Sequence, residues 1–142
     1  HWVNFMANIG LDVASVTAYR VGARGTMDLS TLSVFNYSNG AVGTLAHSWE
    51  LPAPLGGMRL SKVQGTRGAI TFESNGLVYV GTGGARCFGA PVLGGDFLGY
   101  RAMFRDFLEA IRSGAPPQFT LDLAERDLRL LERAVENWHR FA

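Results

Sequence analysis

The chain has one cysteine, Cys87, in 142 residues. That excludes an internal disulfide framework and a thiolate metal cluster. Lysine is equally scarce, with Lys62 standing alone, and the 13 basic residues face 12 acidic ones for a net charge of +1. A balanced and scattered charge cannot neutralise a row of phosphates, which argues against nucleic acid as the main partner. Long apolar runs are missing too. The longest stretch without a charged residue, Leu29 to Trp49, is interrupted by Ser30, Thr31, Ser33, Asn36, Ser38, Asn39, Gly40 and His47. It is no membrane span. No basic segment leads into an apolar one as in a signal peptide, and a cytoplasmic location is expected.

Several catalytic signatures are absent. No G-x-G-x-x-G follows a strand, and there is no G-x-S-x-G elbow. Gly81-Thr82-Gly83-Gly84 lacks the Lys-Ser/Thr ending of a phosphate loop. His1, His47, His139 and Cys87 have no ligand spacing, so no metal is expected. Cys87 reads as a small loop residue, and His47 as a satisfied residue within a strand.

What is present is a globular composition, 47% apolar and 18% charged. One domain of this size should expose roughly 7,200 Å² when folded and needs no staples. The sequence opens on His1-Trp2-Val3 rather than on Met, and we expect a piece of a longer polypeptide.

Trp2, Phe5, Met6 and Ile9 form one helical stripe ending near Gly10. From Val13 to about Val80 the period changes to two. Val13–Gly22, Leu29–Tyr37, Ala41–Glu50, Met58–Gln64, Ala69–Ser74 and Leu77–Gly81 read as strands. Asn39-Gly40 is a strong hairpin signal, and Gly65-Thr66-Arg67-Gly68 a second tight turn. In Leu29–Tyr37 one face carries Leu29, Thr31, Ser33, Phe35 and Tyr37, and the other Ser30, Leu32, Val34 and Asn36. This pattern fits a sheet covered by helices on one side, with its other side solvated or against a subunit. Gly81–Gly99, with seven glycines, reads as a loop.

Two helices follow. Phe97–Ser113 carries a stripe of Phe97, Tyr100, Phe104, Phe107, Leu108 and Ile111, and is stopped by Gly114 and Pro116-Pro117. A last helix starts near Thr120 or Asp122, with Ala124, Leu128, Leu131, Val135 and Trp138 expected as its buried stripe. The fold class is α+β: an open, mostly antiparallel sheet of about six strands with helices on one face, forming one domain over residues 1–142.

The order of short motifs resembles a known family. His1-x-x-Asn4 opens an amphipathic helix. Asn39-Gly40-Ala41-Val42-Gly43 is followed by His47-Ser48-Trp49. Val63-Gln64-Gly65-Thr66-Arg67-Gly68-Ala69-Ile70 forms a turn. Tyr100 precedes Phe104-Arg105-Asp106-Phe107-Leu108-Glu109-Ala110-Ile111, which runs on to Gly114-Ala115-Pro116. Leu131-Glu132-Arg133-Ala134 comes last. Together they resemble the second domain of the glucose–fructose oxidoreductase / inositol dehydrogenase (Gfo/Idh/MocA) family.

That resemblance implies an α+β domain that shapes a substrate pocket and forms a homo-oligomer through its sheet face. It implies a Rossmann domain outside this chain that binds NAD or NADP, with no cofactor held by this chain alone. The substrate implied is a sugar, inositol or related polyol. His1 would be the catalytic residue that assists proton transfer at the hydroxyl, and Asn4 and Trp49 would touch substrate. Where the family carries Asp, this chain has Asn4, and an amide cannot take a proton. A stand-alone, non-catalytic binding or scaffold module is the alternative.

Overall fold

The computed structural model describes residues 1–21, 30–49, 60–73, 79–82, 86–88, 99–136 and 138–140. Three helices and eight strands occur among them: α1 (Trp2–Ala7), β1 (Val13–Val21), β2 (Ser30–Tyr37), β3 (Val42–Ser48), β4 (Leu60–Gly65), β5 (Gly68–Glu73), β6 (Tyr79–Thr82), β7 (Arg86–Phe88), α2 (Tyr100–Ser113), α3 (Leu121–Glu136) and β8 (Trp138–Arg140). The chain divides into two compact units. One is His1–Pro52 with Phe119–Ala142, and the other is Ala53–Gln118.

The α+β class holds, but not the single sheet of about six strands. The strands form two four-stranded sheets, ordered β3-β2-β1-β8 and β4-β5-β6-β7. Turn signals identify which neighbouring strands pair; they carry no information about which hairpins share a sheet. β7 lies within the expected glycine loop, whose residues 83–85 and 89–98 fall outside the described residues.

In the first unit the β2–β3 hairpin turns at Gly40, whose φ of 83° favours glycine. Tyr37 N–H donates to Ala41 O at 2.9 Å and closes the turn. The antiparallel register sets Val16 opposite Phe35, and Phe35 opposite Gly43. Opposite residues share a face, so this face carries Val16 and Ala18 (each 2% exposed) and Phe35 (1%). Met6 and Ala7 of α1 and Leu130 and Ala134 of α3 complete the core. A Cβ at Gly43 would displace Met6 Cε, the far end of a flexible side chain, and lie 3.2 Å from the Tyr37 ring.

The opposite face of this sheet is built from Ser15, Asn36 and Val42, then Thr17, Val34 and Thr44, then Tyr19, Leu32 and Ala46 in three register rows. None of these is charged. Leu32 is 37% and Val42 65% exposed.

α3 buries a different stripe from the one expected. Leu130 and Ala134 are buried, whereas Leu128 (61%), Leu131 (49%) and Val135 (46%) are exposed. The helix has two apolar stripes, and the sequence alone does not say which one the sheet covers. Trp138, placed by periodicity on that helix, belongs instead to β8, which pairs in parallel with β1.

In the second unit β4 and β5 turn through Thr66-Arg67, with Gly65 and Gly68 as the closing pair. α2 ends at Gly114 (φ 70°), whose N–H returns to Ala110 O at 3.0 Å. That αL cap is the stop read from the sequence. Pro116-Pro117 follow it. The Gln118 N–H then donates to Asp106 at 3.0 Å, tying the segment back to the helix. No α2 residue is buried.

Candidate functional site

His1 is the N-cap of α1 and is exposed. Its carbonyl accepts from Phe5 N–H at 3.1 Å, while its imidazole makes no capping hydrogen bond. The ring is therefore not tied down by helix capping.

Asn4 is placed one helical turn on, and its side chain is engaged. Its Nδ2 donates to Asp127 Oδ2 at 2.5 Å. Arg126 donates to the other carboxylate oxygen from Nε at 3.1 Å and Nη2 at 2.7 Å. The same Nη2 reaches Asn8 Oδ1 at 3.1 Å, and Asn8 Nδ2 returns to Asn4 O at 2.8 Å. These bonds close a loop between α1 and α3. The Asp127 side chain is 12% exposed, so its charge is held by donors rather than by water. Reading the sequence did not single out Asp127 or Arg126. The available signal was a carboxylate at a core-period position, three residues before Leu130 and seven before Ala134.

Tyr37 anchors α1 from below. Its hydroxyl donates to Met6 O at 2.8 Å in a buried site. Burial raises its pKa above the ordinary 10.0, because the phenolate would be desolvated.

Trp49 lies just past β3 and is 78% exposed. Its ring meets that of His47 edge-on, with centroids 5.0 Å apart and planes at 78°. Gly43, where β3 abuts α1, is six residues back, or about 20 Å along an extended strand. His1 and Asn4 thus share α1, while Trp49 stands at the other end of β3.

A groove of about 340 Å³ runs beside α3. Leu11 and Leu130 line it with Arg126, Arg129, Arg133, Asp122 and Glu125, and none of His1, Asn4 or Trp49 does. Its charges largely answer one another, as in the Arg129–Glu125 pair at 2.5 Å. No group of three metal-ligating side chains occurs among the described residues. No helix among them is long and apolar enough to cross a membrane.

Comparison with solved structures covers nearly the whole chain. A UDP-N-acetylglucosamine 3-dehydrogenase from Acidithiobacillus ferrooxidans is 22% identical, with a TM-score of 0.73 over 95% of this chain and 44% of that one. An aldose-aldose oxidoreductase from Caulobacter crescentus, complexed with glycerol, is 18% identical with a TM-score of 0.77 over 95% and 42%. An oxidoreductase from Agrobacterium radiobacter, in complex with NAD+, L-tartaric acid and magnesium, is 18% identical with a TM-score of 0.69 over 94% and 44%. The fold is that of Gfo/Idh/MocA-type oxidoreductases. The chain spans less than half the length of these proteins. No protein-family model and no curated protein matches the sequence.

Pyrophosphate binding needs a glycine turn between a parallel strand and a helix N-terminus. No such turn occurs among the described residues.

Proposed function

We propose that the chain is the substrate-binding and oligomerising domain of an NAD(P)-dependent oxidoreductase acting on a CH–OH group of a sugar, inositol or related polyol. The observation that supports it is the fold, shared over 94% or more of the chain with the oxidoreductases named above. In this reading the dinucleotide is held by sequence outside these 142 residues, and the site is cytoplasmic. His1 holds or takes the proton of the reacting hydroxyl. A neutral imidazole suits this task because one ring nitrogen accepts a proton while the other donates one. Asn4 and Trp49 line the substrate, with Asn4 oriented by Asp127. The uncharged sheet face of Tyr19, Leu32 and Val42 forms the contact between subunits.

The test uses the native polypeptide that carries this chain. It should reduce NAD+ or NADP+ in the presence of an aldose, inositol or polyol. His1→Ala should lower kcat about 10²-fold or more with little change in KM. Failure of every such substrate with both nucleotides would sink the reading. A monomer in sedimentation at micromolar concentration would sink the subunit contact alone.

One observation favours a non-catalytic binding module. Asn4 stands where the resemblance calls for Asp, and its amide is already committed to Asp127. Such a module would bind sugar with no turnover.

A further inference from the structure

The chain carries Asn-Gly twice, at Asn39-Gly40 and Asn75-Gly76. The second pair lies outside the described residues. The first is the tip of the β2–β3 hairpin, a role that leaves the chemistry of the pair unused. An asparagine amide followed by glycine is an electrophile beside an unhindered nucleophile, and their reaction needs no encounter between molecules. The Gly40 nitrogen can close on Asn39 Cγ into a five-membered ring. Nothing crowds the position, since even a Cβ built on Gly40 would meet no atom within 4 Å. Asn39 and Gly40 are both exposed, so water reaches them.

The turn holds both reacting groups. Gly40 N–H donates to Tyr37 O at 2.9 Å, and Ala41 N–H donates to Asn39 Oδ1 at 3.1 Å. The second bond favours attack, because a donor on Oδ1 draws electrons from Cγ. The first opposes it, because the Gly40 nitrogen must lose that proton before it can attack. The first decides the outcome: a protonated amide nitrogen has its electron pair delocalised into its own carbonyl, however polarised Cγ is. The surrounding bonds keep this latch closed. Tyr37 N–H donates to Ala41 O and Ser38 N–H to Asp12 O, each at 2.9 Å. Tyr37 itself is buried, with its hydroxyl on Met6 O. The Gly40 N–H is therefore released only when this end of the hairpin leaves the core.

We propose that Asn39 is a modification site, a spontaneous deamidation site latched by its own turn and released when the hairpin opens. Water or hydroxide takes the Gly40 amide proton, the nitrogen bonds to Asn39 Cγ, and the Cγ–Nδ2 bond breaks. Nδ2 leaves as ammonia, and nothing is oxidised or reduced. Water then opens the cyclic imide. Breaking the new N–Cγ bond gives aspartate, which keeps an oxygen for Ala41 N–H. Breaking the original bond to the Asn39 carbonyl carbon gives isoaspartate, whose main chain runs through the former side chain. That adds one backbone atom inside a turn closed by Tyr37 and Ala41. The hairpin then closes only by shifting β3 against β2, where Phe35 stands opposite Gly43. A chain modified while open is thereby kept open. The proposal is independent of the dehydrogenase reading.

The test incubates the native polypeptide at neutral pH, folded in buffer and unfolded in guanidinium chloride. Asn39 and Asn75 are followed by peptide mapping and by an isoaspartate-specific methyltransferase. Asn39 should convert at least tenfold more slowly in the folded chain, and at a rate comparable with Asn75 in the unfolded one. Phe35→Ala, which loosens the sheet behind the turn, should speed conversion at Asn39 in buffer at least threefold. Tyr37→Phe, a milder loss at the same corner, should speed it less and keeps the comparison if Phe35→Ala does not fold. Asn39→Gln, which would need a six-membered ring, should show no conversion at this position in either state. Equal rates in the folded and unfolded chains would overturn the latch, as would a rate untouched by both core variants. A faster folded rate would overturn it too, by making the Ala41 bond an activator. An unfolded chain that converts Asn75 but not Asn39 would overturn the site.

Discussion

The buried apolar side chains among the described residues, Met6, Ala7, Val16, Ala18, Phe35, Tyr37, Leu130 and Ala134, all belong to the unit of residues 1–52 and 119–142. In the unit of residues 53–118 the buried described residue is Glu73, and α2 leaves Tyr100, Phe104, Phe107 and Ile111 between 55% and 64% exposed. Both units contain a four-stranded sheet and strongly patterned helices. The first buries one side of its sheet under α1 and α3. The apolar stripe of α2 is equally clear and is left exposed. Amphipathic patterning therefore states that a helix has a side to bury, and not what will bury it.

The largest expected effect tests that contrast directly. Phe35→Ala should destabilise by about 3–5 kcal/mol, the usual cost of emptying a core aromatic site. Phe107→Ala on α2 should cost about 0.5 kcal/mol or less, as exposed substitutions do. Urea unfolding of the two variants decides it. Comparable costs would mean that the α2 stripe is covered in solution, and the contrast would disappear.

A smaller effect is expected at the α1–α3 loop of hydrogen bonds. Asn4→Asp replaces a donor to Asp127 by a second carboxylate. It should cost about 1–3 kcal/mol at neutral pH, through the lost bond and the repulsion of like charges. Urea unfolding of the variant at neutral pH checks this. A neutral or stabilising Asn4→Asp would show that Asp127 does not fix α1.

The smallest effect concerns Tyr37. Its folded pKa lies above the unfolded 10.0. The unfolded chain therefore ionises first as pH rises past 10.0, and stability is lost from there upward. Tyr37→Phe should cost about 1 kcal/mol at neutral pH for the lost bond to Met6 O. It should also flatten the alkaline limb of the stability profile. An unchanged alkaline limb would mean that Tyr37 is not buried in solution.

Much of the local structure was legible because its causes are local. Asn39-Gly40 and the Gly65–Gly68 turn specified two hairpins, and Gly114 with Pro116-Pro117 stopped α2 where it stops. The alternation in β2 separated Phe35 and Tyr37 from Leu32 and Asn36 correctly. The motif order pointed to the fold that the solved structures share. What stayed hidden depends on distant partners. The division into two sheets, the choice between two apolar stripes on α3, and the parallel pairing of β8 with β1 leave no mark within a short window. At the candidate site the sequence pointed to Asn4. It missed Asp127, which holds it, because that pairing joins residues 123 apart. His47 read as a satisfied residue within a strand, and it lies in β3 with its ring edge-on to Trp49.

The pairing of Ala18 with Trp138 and of Arg20 with Arg140 has a consequence for synthesis. A ribosome making this chain releases β1 about 120 residues before the strand that completes its sheet. Through that interval the outer edge of β1 carries unpaired N–H and C=O groups. Residues 53–118 must all emerge first, so the first sheet cannot close until the other unit is already made. A long-range parallel pairing of this kind is slow to form. The nascent protein is thus most open to wrong strand partners while its second unit is being translated.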